Sequence, residues 1–213
     1  HSLPVAIDEI TNMTPFELSE LVYQNTSGQQ KGRMSSSSNV ERKRTGKNWS
    51  LLCSITANTS IVERISMAKA MPKAEAQRVL ECRVERIFDE FKDKEITDAF
   101  EAGIKENYGH AGPAFVQYVM KNLDACRKIL VDVHKRVDTR GELTAENRFW
   151  SATIAATIAG LIISKRAGLH DYDVGKVLDW SIDDLLTQNK KASLAMHGSV
   201  FETMNDFFAE NIS

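Results

Sequence analysis

Hydrophobic positions change their rhythm along this chain. Up to about residue 90 short apolar runs alternate with helix-like segments, and beyond it the period is almost entirely helical. Leu3 to Asp8 is a short apolar run ending in acid, and Trp49 to Thr56 (WSLLCSIT) is a second, continuous one. Both suit strands covered on two faces and central in a sheet. In residues 79–87 (VLECRVERI), Leu80, Cys82 and Val84 alternate with Glu81, Arg83 and Glu85, which favours a half-exposed strand over a helix. The pattern predicts an α/β part over residues 1–92 followed by an all-α part over residues 93–213.

Helix signals fill the remaining stretches. In Thr14-Pro15-Phe16-Glu17, Thr14 can cap, Pro15 suits the first helical position and Glu17 can reach back, so a helix is expected to about Asn25. TSIVERISMAKA, after Asn58, reads as another, ended by Met71-Pro72. Later helices are expected at about 95–106, 112–137, 144–167, 173–188 and 198–210, with Gly112-Pro113 and Thr144 as starts and Gly168 as a stop. Phe115, Tyr118, Leu123, Ile129, Phe149, Ile154 and Ile158 are the expected core of a helical bundle. The small residues Ala155, Ala156, Ala159 and Gly160 allow close helix approach, within the chain or between subunits.

Composition narrows the class. With 213 residues, 42% hydrophobic and 26% charged, the chain can bury a substantial core and is neither disordered nor a disulfide-stapled miniprotein. The formal charge of −2 means that a nucleic-acid partner needs a local basic patch. Cys53, Cys82 and Cys126 stand far apart with no CxxC pair, which fits a reduced, cytoplasmic setting without structural zinc. The opening HSLPVAID lacks a secretory pattern and reads as the inside of a folded domain. The longest uncharged run, Phe149 to Ser164, has 16 residues, short of the roughly 20 that cross a bilayer, so no membrane partner is expected.

Residues 26–48 supply the local charge. Lys31, Arg33, Arg42, Lys43, Arg44 and Lys47 face a single acid, Glu41, in a serine-rich stretch with almost no large apolar residue. A solvated loop is the plain reading, although structureless loops beyond about 15 residues are usually functional or disordered. Lys and Arg here would neutralise phosphates without reading sequence.

Two acids end the first apolar run. P-loop nucleotidases build half of an active site this way, and on that pattern Asp8 would reach the shell of a magnesium ion and Glu9 would polarise the water that attacks the terminal phosphate. A helix-capping acid after a buried strand looks the same. Asn58 ends the second run, where open α/β sheets place ligands, and serves equally as a phosphate sensor or a helix cap. Arg33 and Arg78 are candidates for a guanidinium that neutralises a transferred phosphoryl group, with surface ion pairs as the alternative. His1, His110, His134, His170 and His197 are scattered without metal-ligand spacing, and no nucleophile elbow occurs.

In their order, the blocks LPVAIDEITNM (3–13), LSELVYQNTSGQQKGRM (18–34), ERKRTGKNWSLLCSITANTSI (41–61), AEAQRVLECRVERI (74–87), YGHAGPAFVQYV (108–119) and ENRFWSATIAATIAGL (146–161) resemble the carboxyl-terminal part of phage and mobile-element replication helicases, including a family of helicase-like domains. The resemblance implies a partial P-loop NTPase core with Walker B and sensor strands, followed by a helical bundle subdomain. It implies a motor that couples magnesium-assisted ATP hydrolysis to movement on single-stranded DNA. Asp8 and Glu9 would be its Walker B pair, Asn58 its sensor, Arg78 or Arg33 its arginine finger, and residues 31–47 its DNA-contacting loop. A homo-oligomeric ring follows from a finger supplied by a neighbour.

One departure bears on that reading. No GxxxxGK[ST] occurs anywhere in the chain, so no backbone cradle for the phosphates is encoded here. The expectation is that this half was cut away or comes from other polypeptide, and that the 213 residues alone bind nucleotide poorly. A non-hydrolysing nucleic-acid-binding or assembly module is the alternative.

Overall fold

The computed structural model describes residues 4–10, 12–28, 48–49, 52–67, 72–84 and 93–194. They divide into two compact units, one from residues 1–81 with 187–213 and one from residues 82–186.

In the first unit, β1 (Val5–Ile7) pairs in parallel with β2 (Cys53–Ile55), in the register Val5 to Cys53, Ala6 to Ser54 and Ile7 to Ile55. Helix α1 (Pro15–Ser27) begins as its sequence dictates: Thr14 caps it, Pro15 opens it and Glu17 closes the capping box, while Gly28 ends it at φ 67°. Helices α2 (Ile61–Ser66) and α3 (Lys73–Ala76) are short. Ile10, Leu18, Val22, Ile61 and Ile65 form the core, with Ile7, Met13, Ile55, Ala57 and Val79 packed on it. Residues 187–194 are helical and place the buried Asn189 beside Glu81.

The second unit is helical: α4 (Asp93–Asn107), α5 (Ala111–Lys121), α6 (Leu123–Arg140), α7 (Arg148–Arg166) and α8 (Val174–Trp180). Thr144 caps a 3-10 turn, Ala145–Asn147, that leads into α7, and Gly168 follows its end at φ 74°. Helices α6 and α7 form an antiparallel pair around Cys126, Val133, Val137, Trp150, Ile154, Ile158 and Ile163. The turn between them needs Gly141, where a Cβ would lie 2.8 Å from the Val137 carbonyl oxygen. A π-helical segment, Ser181–Leu186, follows α8.

The α/β expectation is overturned. The described residues are mostly helical, with only two short parallel strands, and do not form the α/β P-loop core that the resemblance implied. Apolar runs misled because β1 and β2 are three residues each and lie partly open, with Val5 42% exposed and Ser54 exposed, not central in a sheet. Residues 79–84 are irregular, not a strand. In place of a neighbouring strand, residue 81 meets the Asn189 side chain, which accepts from the Glu81 N–H at 2.9 Å and donates to the Glu81 carbonyl at 2.8 Å. One carboxamide thus supplies what a neighbouring strand would.

Smaller corrections lie in the helices. The expected helix 112–137 is interrupted at Asn122 (φ −129°, ψ 34°), whose side chain donates to the Tyr118 carbonyl at 2.9 Å and competes with the backbone ladder. Leu123, expected in the core, is 45% exposed, and Ala156 is exposed, whereas Ile154, Ala155, Ile158 and Ala159 are buried. The expected helix 198–210 lies outside the described residues. Among the described residues, no helix is long and apolar enough to cross a membrane.

Candidate functional site at the strand ends

Parallel pairing brings the carboxyl ends of β1 and β2 to the same side, so the residues that follow each strand become neighbours. The pairing continues past the strands, with the Thr56 N–H donating to the Ile7 carbonyl at 3.1 Å and the Ile10 N–H to the Thr56 carbonyl at 3.3 Å. Asp8 and Glu9 therefore stand beside Thr56, Ala57 and Asn58.

The Thr56 hydroxyl is the hub. It donates to Asp8 Oδ1 at 2.6 Å and accepts from the Glu9 N–H at 2.9 Å. Glu9 has φ 51°, in the left-handed region that side chains rarely occupy. That turn aims its carboxylate at Asn58, whose Nδ2 donates to Glu9 Oε1 at 3.1 Å. Asp8, Glu9 and Asn58 are all exposed. The backbone after the acids is tied down by Arg64 of α2, which donates to the Ile10 carbonyl at 3.3 Å and to the Met13 carbonyl.

Asn58 is not the cap of the following helix. Ser60 caps α2, accepting from the Glu63 N–H at 3.0 Å and donating to Glu81 Oε2 at 2.8 Å, while Glu81 Oε1 accepts from the Val62 N–H at 3.0 Å. Helix α2 therefore does not need the Asn58 amide, which turns to Glu9.

The other candidates are placed as follows. Arg78 lies with its guanidinium over the Tyr23 ring, 4.6 Å from the centroid, and donates to the Ala74 carbonyl, which ties it to α1 and α3. Arg33 and the basic residues Lys31, Arg42, Lys43, Arg44 and Lys47 lie outside the described residues. Cys53, on β2, has its thiol pushed up by burial, which keeps it protonated and a poor nucleophile.

Two carboxylates and a hydroxyl are hard oxygen donors of the kind magnesium takes. Among the described residues, no group of three or more His, Cys, Asp or Glu is placed to hold a metal ion. With the Thr56 hydroxyl engaged by both acids and Glu9 turned to Asn58, the described donors make no closed protein cage, and Asp8 alone would offer an oxygen to magnesium that brings phosphate oxygens with it.

Thr56 and Arg64 were missed from sequence. A threonine closing an apolar run reads as a strand residue, and only the register shows that its hydroxyl meets both acids. Arg64 sits in a helical segment whose partner carbonyls are 51 and 54 positions away. Set against protein-family models, curated proteins and solved structures, the chain has no match.

Proposed function

We propose that this chain carries the hydrolytic half of a nucleotide-driven motor on single-stranded DNA, of the kind represented by phage and mobile-element replication helicases. One observation carries the reading: Glu9 and Asn58 are hydrogen-bonded at 3.1 Å across two paired strand ends, while Asp8 is held separately by Thr56 at 2.6 Å. Adjacent acids with different partners suit different tasks. Glu9, oriented by Asn58, accepts a proton from the attacking water. Asp8, oriented by Thr56, would hold the magnesium of Mg-ATP. That magnesium, when bound, offsets charge on the terminal phosphates.

The phosphates would be gripped by residues other than these 213, since no GxxxxGK[ST] is present. Arg78 or Arg33 would serve as finger, supplied by a neighbouring subunit in a ring, and Lys31, Arg33, Arg42, Lys43, Arg44 and Lys47 would hold the DNA backbone. Such a motor works in the cytoplasm of the cell that replicates the element. The missing phosphate loop favours a second reading, a non-hydrolysing nucleic-acid-binding or assembly module.

The test is DNA-stimulated ATP hydrolysis by the full-length polypeptide that contains these residues. Glu9→Gln should reduce turnover roughly 10²- to 10⁴-fold, as expected for loss of a general base. Unchanged turnover would remove Glu9 from the chemistry, and single-strand binding without any hydrolysis would establish the second reading. Neutralising Lys31, Arg33, Arg42 and Arg44 should lower the salt dependence of binding by about one ion for each phosphate no longer neutralised. An unaltered slope would place DNA elsewhere.

A further inference from the structure

Helix α4 presents an exposed apolar stripe. Ile96, Phe100 and Ile104, spaced by four and so on one face, are 61%, 67% and 49% exposed. Every described side chain from residue 94 to 107 is exposed, apart from the half-buried Gly103 position. A 15-residue amphipathic helix is marginal in water without a surface to cover its apolar face.

A second apolar stripe lies open in the same unit. On α5, Val116 and Met120, four apart, are 55% and 77% exposed; on α6, past the break at Asn122, Leu123, Leu130 and Val131 are 45%, 42% and 51% exposed. The helices that carry the two stripes are opposite in net charge. Helix α4 has five acids against two lysines, whereas α5 and α6 together have six Lys and Arg against three Asp. Two α4 helices would repel each other, while α4 against α5–α6 attracts. Within one chain, α4 joins α5 through Tyr108–His110, with Gly109 at φ 84°, and both apolar faces stay exposed.

We propose that α4 of one copy docks on the α5–α6 stripe of a second copy of this chain. The contact is heterologous: the acidic helix of one subunit lies on the basic, apolar surface of the next. It rests on the exposed faces and their charges, independently of the hydrolytic reading.

Sedimentation tests it directly. The wild-type chain should associate with increasing concentration, and the association should weaken with salt. Phe100→Glu and Met120→Glu should each weaken association by roughly tenfold or more, given the apolar area removed from the interface. Mixed at equal amounts, the two variants should recover a heterodimer, because each retains the face the other lacks. A monomeric wild type, unweakened variants or a mixture that stays monomeric would overturn the proposal. Both substitutions are at exposed positions, and unchanged circular dichroism would verify folding. Should either variant not fold, cross-linking a mixture of ¹⁴N- and ¹⁵N-labelled wild type decides. Mixed-isotope links from Lys94 or Lys105 to Lys128 are expected, and same-isotope links alone would show an intrachain hairpin instead.

Discussion

The strand ends of the first unit and the α6–α7 pair of the second are held together by different means. In the helical pair, Trp150, Ile154, Ile158, Val133 and Val137 are buried on two helices in extensive contact, and position is decided by apolar packing. At the strand ends the side chains are exposed, and hydrogen bonds from Thr56, Asn58 and Arg64 decide position. Packing tolerates little change in volume and little unpaired polarity. The polar arrangement tolerates solvent but depends on single atoms. A region built in the second way suits chemistry, since its groups remain accessible.

Substitutions sharpen this contrast. The largest effect is expected for Trp150→Ala, which removes a large, fully buried side chain and should cost about 3–5 kcal/mol in denaturant unfolding. A cost below about 1 kcal/mol would mean that this packing is not what holds α6 to α7. Next comes Asn189→Ala, which removes both bonds to the Glu81 backbone and leaves a partly buried amide and carbonyl unpaired. The expected cost is about 1–3 kcal/mol in the same measurement, with faster hydrogen exchange at Glu81. Exchange as slow as in wild type would assign the bracing of residues 79–84 to something else.

How much of this was legible beforehand divides along the same line. Thr14, Pro15 and Glu17 announced α1, and Thr144 and Gly168 framed α7, because caps act within a few residues of themselves. Asp8, Glu9 and Asn58 could be named as a set, but their hydrogen bonding depends on a register between segments 47 to 49 positions apart. The two apolar runs suggested a buried sheet because continuous hydrophobicity does not report how many strands flank a strand. VLECRVERI alternates as a strand does, and its partner is one side chain over 100 residues later, beyond the reach of any local pattern.

The smallest effect separates charge from packing at the start of α1. The Thr14 N–H, and then its hydroxyl, donate to Glu17 and hold its carboxyl below the usual carboxylate range. A carboxyl lowered on folding stabilises the native state fully above its unfolded pKa and loses that contribution as pH falls through the folded one. The difference in urea midpoint between wild type and Glu17→Ala should therefore shrink on acidification, while the Trp150→Ala difference stays. A Glu17 difference that persists in strong acid would make the box a steric device.

Three paired residues per strand leave little to prevent a slip by one position. Such a slip would set Ile55 or Ala57 where the bridging hydroxyl belongs, and both acids would lose their anchor together. On the hydrolytic reading proposed above, misaligned molecules would be silent, never half-active, and specific activity would count the correctly threaded fraction of a preparation.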